Sequence, residues 1–154
     1  MTEGVQVHLT KGNETYTQLA ELTAHAYRCH LDFDPDYLLD GKGNCWVVAA
    51  CAHGVAQALG FKASLWGGRV RSIQTGEFEF GGDLHYWVEL GRDVIIQSPN
   101  HTTILVTTRE ETGADYIKVQ GKAKGLVPLA AAVRDRLLKV GVEHFLAESP
   151  LARP

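Results

Sequence analysis

Cys45 and His85 are the two side chains whose placement points to chemistry. Cys45 follows the turn Gly41-Lys42-Gly43-Asn44 and opens the stretch Trp46-Val47-Val48-Ala49-Ala50. Its position is that of a thiol at the mouth of a helix. There the dipole favours negative charge, and backbone N–H groups lack partners within the helix. A nearby imidazole would add to that field, so a depressed thiol pKa and a nucleophilic thiolate are expected. The same N–H groups can hold an oxyanion formed on an attacked carbonyl. Asn44 and Trp46 flank the sulfur and are the expected oxyanion and substrate-binding neighbours, together with Trp87. The imidazole would come from Leu84-His85-Tyr86-Trp87-Val88-Glu89-Leu90, an alternating segment with Trp87 and Glu89 on the face of His85. A strand holds a histidine rigidly, as a general base must be held. His85 would take the thiol proton and return it to the leaving group.

A histidine base is normally oriented through its second ring nitrogen. The hairpin turn Gly91-Arg92-Asp93 returns Val94-Ile95-Ile96-Gln97-Ser98-Pro99-Asn100 beside the His85 strand. Gln97 is the first candidate, with Ser98 and Asn100 behind it. A two-residue turn predicts Ser98 opposite His85, and a turn one residue longer predicts Gln97, so the register stays open. Each residue also has a plain structural reading. Cysteine packs as a small hydrophobe, strand histidines are often just hydrogen-bonded, and Trp46, Trp66 and Trp87 suit a core. Cys29 and Cys51 read as structural.

The elements needed to position these groups are legible in outline. Leu19, Leu22, Ala26 and Cys29 recur at helical spacing and predict a first helix over 14–30, ended at Asp34-Pro35. Asn44 is a candidate N-cap for a helix from Cys45 to Leu59, apolar nearly all round and therefore buried. Gly60 stops it. Strands are predicted over 61–72, 84–90, 94–97, 102–108 and 116–120. Gly67-Gly68 marks a bulge or a close approach, and residues 76–82 a glycine-rich loop. A closing helix over 126–147 tolerates Pro128 in its first turn. The order gives one α+β domain over 1–154, with N-terminal helices packed on an antiparallel sheet and a C-terminal helix.

At this point the chain resembles the transglutaminase-like core. Gly43-Asn44-Cys45-Trp46, then Ala49, Ala56 and Leu59-Gly60-Phe61-Lys62-Ala63-Ser64-Leu65, is similar to that family's glycine-x-cysteine turn, helix and leucine-glycine step. His85-Tyr86-Trp87-Val88-Glu89-Leu90 resembles its histidine-x-tryptophan-valine-glutamate strand. Ile95-Ile96-Gln97-Ser98-Pro99 stands where that family has an aspartate-proline strand end. Arylamine acetyltransferases are similar in plan. The resemblance spans residues 41–100. It implies a papain-like fold and a Cys-His-Asp type of triad carried by Cys45 and His85, with Gln97 or Ser98 in place of the aspartate.

The totals bound the rest. With 154 residues, 45% hydrophobic and 21% charged, the chain can bury a real core. A net charge of -3 gives no footprint for nucleic acid or an anionic membrane. No apolar run reaches the length of a span, and Met1-Thr2-Glu3-Gly4 does not read as a signal peptide. Three cysteines, an odd count, suit a reducing, cytoplasmic setting, although secretion without a signal is compatible. The cysteines form no C-x-x-C pair and the seven histidines are scattered, so neither metal nor cofactor is expected. Lys118, Lys122 and Lys124 read as a solvated basic loop. Two function classes follow. One is a cysteine hydrolase or acyltransferase acting on a peptide, protein or small amide: protease, amidase, deamidase or transglutaminase. The other is a binding module on the same fold with an impaired triad. Specificity would lie in loops 75–83 and 100–103.

Overall fold

The computed structural model describes residues 6–33, 44–82, 84–100 and 103–148. The turn ahead of Cys45, at residues 40–43, lies outside them. Helix α1, Thr17–Phe33, follows a 3-10 turn at Glu14–Tyr16. It buries Leu19, Leu22 and Ala26 of the stripe its spacing predicts, and Tyr27 besides, while Cys29 is only half-buried. Helix α2, Asn44–Ala58, begins at Asn44 itself, one residue before the predicted start. Its small side chains let neighbours approach from every side. Val47, Val48, Ala49, Ala50, Cys51, Ala52, Val55 and Ala56 are all fully buried. Gly54 lies so close to the next long helix that a Cβ would sit 2.3 Å from the Ala130 carbonyl oxygen. Gly60, at φ +88°, ends α2, and Phe61 N–H closes it on Ala56 O at 2.9 Å.

Six strands follow the order β1-β5-β4-β3-β2-β6. They are β1 Gln6–Leu9, β2 Ala63–Ser72, β3 His85–Leu90, β4 Val94–Asn100, β5 Thr103–Thr108 and β6 Ala114–Lys118. The expected antiparallel sheet is corrected to a mixed one, because β1 runs parallel to β5. Four residues of alternation carry too little periodicity to predict β1. β2 keeps a continuous register through Gly67 and Gly68, opposite Tyr86 and His85, so the glycines mark close approach and not a bulge. A Cβ on Gly68 would lie 1.9 Å from the Ile117 carbonyl oxygen. A short helix α3, Arg109–Thr112, carries a capping box between Thr108 and Glu111. The single closing helix is corrected to two, α4 Val127–Val140 and α5 Val142–Ala147, broken at Gly141 with φ +84°. The fold is α+β.

The helices lie on one face of the sheet. Tyr86, Val88, Leu90, Ile96, Ile104 and Val106 pack there against α1, α2, Leu137 and Phe145. The other face carries His85, Trp87 and Glu89. No helix among the described residues is long and apolar enough to cross a membrane.

Candidate active site

The β3–β4 turn sets the geometry. Leu90 faces Val94, so the turn holds three residues, and the ladder runs only to Val88 opposite Ile96. Continued, that register sets Gln97 opposite Trp87 and Pro99 opposite His85. Neither expected partner, Ser98 or Gln97, stands directly across from His85. Gln97 instead reaches it diagonally, from the same face. The His85 Nε2–H donates to Gln97 Oε1 at 2.7 Å, and Gln97 Nε2 donates to the Tyr116 hydroxyl at 2.7 Å. Gln97 is therefore held at both ends. In a neutral ring protonated on Nε2, the lone pair sits on Nδ1, which becomes the basic nitrogen. Ser98 is buried and faces away from His85 by strand alternation. The side chains of Asn44 and Asn100 lie outside the described residues.

Cys45 reaches β3 from the helix side, at the Tyr86 backbone. The Gly67 carbonyl points away from β3, toward Val119. The Gly67–Tyr86 rung is thus a non-hydrogen-bonded one, and the Tyr86 N–H points toward β4. The β4 ladder has already ended there, and the Cys45 sulfur takes that N–H. The thiol consequently sits against the peptide bond that joins His85 to Tyr86. The structure joins His85 to Gln97, and it sets the Cys45 sulfur on the N–H of Tyr86, the next residue along the strand.

The electrostatics overturn one expectation. Burial pushes the Cys45 thiol up, against the backbone N–H groups of Tyr86, Cys45 and Trp46, which favour thiolate. Burial also pushes His85 down to about 4, against the bond to Gln97. The depressed thiol pKa inferred from the helix mouth is therefore corrected. Desolvation outweighs the dipole, and burial favours the neutral form of each group.

Three supports were not foreseen. Phe80, at φ +57°, stacks on the His85 ring at 4.0 Å and 9°. A bulky side chain in that left-handed region is costly, and such strain gathers at functional sites. Tyr116 on β6 backs Gln97 and meets Trp87 edge-on at 5.0 Å. Glu89 is buried between Arg109 at 2.9 Å and Lys118 at 3.2 Å, and accepts from Trp87 Nε1–H at 3.1 Å. Against burial, the Trp87 N–H and then these two cations hold its carboxyl below the ordinary range. Strand alternation placed Glu89 on the face of His85; its cations come from distant segments. Trp87 is 0% exposed and forms a wall behind His85, so its expected contact with substrate is corrected to support. Trp46 is half-buried, against Ala50, Leu126 and Ala130.

Among the described residues no three His, Cys, Asp or Glu side chains gather to hold a metal ion. No family model, curated protein or solved structure matches the chain. Function must be read from this geometry alone.

Proposed function

We propose that the protein is a cysteine acyl-transfer enzyme with a papain-like, transglutaminase-like core. Cys45 Sγ attacks an acyl carbon as its proton passes to His85 Nδ1. The oxyanion is met by backbone N–H groups at the mouth of α2. Collapse breaks the acyl–nitrogen bond, His85 returns the proton to the departing amine, and a thioester remains on Cys45. Water or a second amine then attacks the thioester and gives its proton to His85; the carbon–sulfur bond breaks, His85 passes the proton to the departing Cys45 sulfur, and the acyl product leaves. The observation that supports this reading best is the 2.7 Å bond from His85 to Gln97, with the Cys45 sulfur held on the amide of the next residue, Tyr86. It sets the tautomer that leaves Nδ1 basic. An amide orienter stabilises imidazolium less than a carboxylate would, which suits a base that is neutral at rest.

The test is acylation by p-nitrophenyl acetate, followed by peptide mass mapping. Cys45 should be acetylated far faster than Cys29 or Cys51. His85→Ala should slow that step about 10²-fold or more, and Cys45→Ala should abolish it. Undiminished acylation in His85→Ala would refute the assignment. The second reading, a binding module with an impaired triad, is favoured by the Phe80 ring closed over His85, which is 1% exposed. It predicts slow, equal acetylation of all three cysteines.

A further inference from the structure

The outer edge of β2 is covered along only part of its length. β6 pairs with it from Gly68 to Ser72, and Val119 N–H adds one bond to the Gly67 carbonyl at 2.9 Å. Among the described residues, the strand from Ala63 to Trp66 has a sheet neighbour on the β3 side alone. Main-chain groups along a strand alternate in direction. The Gly67 carbonyl points outward, while the Lys62 carbonyl points inward and accepts from Gly91 N–H at 3.2 Å. The N–H and C=O of Leu65 therefore point outward.

They open onto a groove of ≈ 410 Å³ between β2, His53 of α2 and the segment from Val119 to Lys124. Among the described residues His53 Nδ1 is buried there without a hydrogen-bond partner of normal geometry, although the Ala63 backbone lies close enough to act on the ring. The rim is basic. Lys124 lines the groove, Lys122 packs near Gly67, and Lys118 lies over the Trp66 ring at 4.3 Å. Lys118 is neutralised by Glu89. Among the described residues neither Lys122 nor Lys124 joins an ion pair.

We propose that this groove binds an extended acidic peptide by strand addition to Leu65. The incoming backbone donates one N–H to the Leu65 carbonyl and accepts the Leu65 N–H, and alternate side chains reach the two walls. Its carboxylates meet Lys122 and Lys124. An open edge is ordinarily a liability for pairing between chains. Here the segment after Val119 recesses it, so a few residues of peptide fit where another sheet does not. The site stands independently of the Cys45 chemistry.

The test is an amide NMR titration with an acetylated, amidated pentapeptide of alternating valine and glutamate, and its valine–lysine counterpart. The Leu65 amide signal should move saturably, with the glutamate peptide bound at least tenfold more tightly. The double substitution Lys122→Glu and Lys124→Glu should reverse the preference without moving the urea midpoint. A Leu65 amide that stays still at millimolar peptide overturns the proposal. So does an equal response to both peptides, or displacement of the peptide by inorganic phosphate or a short oligonucleotide with no effect at Leu65.

Discussion

Burying His85 as a neutral ring makes the fold acid-sensitive in a defined window. In the unfolded chain the imidazole takes a proton near its ordinary 6.5, whereas in the native protein burial holds it near 4. The unfolded state therefore binds more protons between those values, and stability falls as pH falls. The contribution is complete above about pH 6.5 and gone below about 4. At 1.36 kcal/mol per pH unit, that gap corresponds to about 3 kcal/mol, a large share of the roughly 5–15 kcal/mol that holds a domain together. The perturbation is His85→Gln, which keeps an N–H for Gln97 Oε1 but does not titrate. Urea unfolding of both proteins from pH 7.5 to 4.5 gives the comparison. His25 and His53 are also held below their ordinary values by burial, but they are common to both proteins and cancel. Glu89, held below its ordinary 4.5, adds its loss only at lower pH. Across pH 7.5 to 4.5 the wild type should lose about 2.5 kcal/mol more than the variant, the rest of the gap closing only at lower pH. Parallel stability curves would refute the claim that the ring is buried neutral. A resting thiolate–imidazolium pair would then regain ground, and alkylation of Cys45 would show a plateau through acidic pH instead of a steady rise.

Gln97→Glu sets a carboxylate on His85 Nε2 while Tyr116 turns to donate its hydroxyl. The His85 titration followed by NMR should move upward, and Cys45 acylation should extend to lower pH; unchanged profiles would remove Gln97 from the triad. Glu89→Leu leaves Arg109 and Lys118 unpaired and the Trp87 N–H without its acceptor. The cost should be about 2 kcal/mol in urea, below the usual figure for a fully buried pair, because both cations are more than one-third exposed. Gly68→Ala drives a Cβ onto the Ile117 carbonyl oxygen and should cost about 2–3 kcal/mol. Because Tyr116 adjoins Ile117 and braces Gln97, acylation should fall too; an unmoved urea midpoint would contradict the close approach of β2 and β6.

What sequence could reveal here follows the range of each interaction. The helix of Cys45 and the strand of His85 were legible because their signals are local: an all-apolar run ending at Gly60, and alternation through Trp87 and Glu89. Gln97 was legible as a residue type but not as a register. One residue in a turn decides what lies opposite His85, and the bond that forms runs diagonally. Phe80, Tyr116, Arg109 and Lys118 carried no local signal, since each acts through a contact made only when distant segments meet. The largest miss was the sign of the thiol shift. A helix terminus is visible in a sequence, but the depth at which it is buried is not, and a dipole worth about 0.3–1 kcal/mol at an exposed end is easily outweighed by desolvation. The same burial that raises the thiol lowers the imidazole, so the two pKa values move apart and proton transfer is uphill at rest. A substrate that displaced Phe80 and brought a carbonyl dipole to the helix mouth would change both terms at once. If this site is catalytic, its activation should therefore depend on substrate, and the rate of Cys45 acylation should respond to the size of the acyl group more steeply than a surface thiol does.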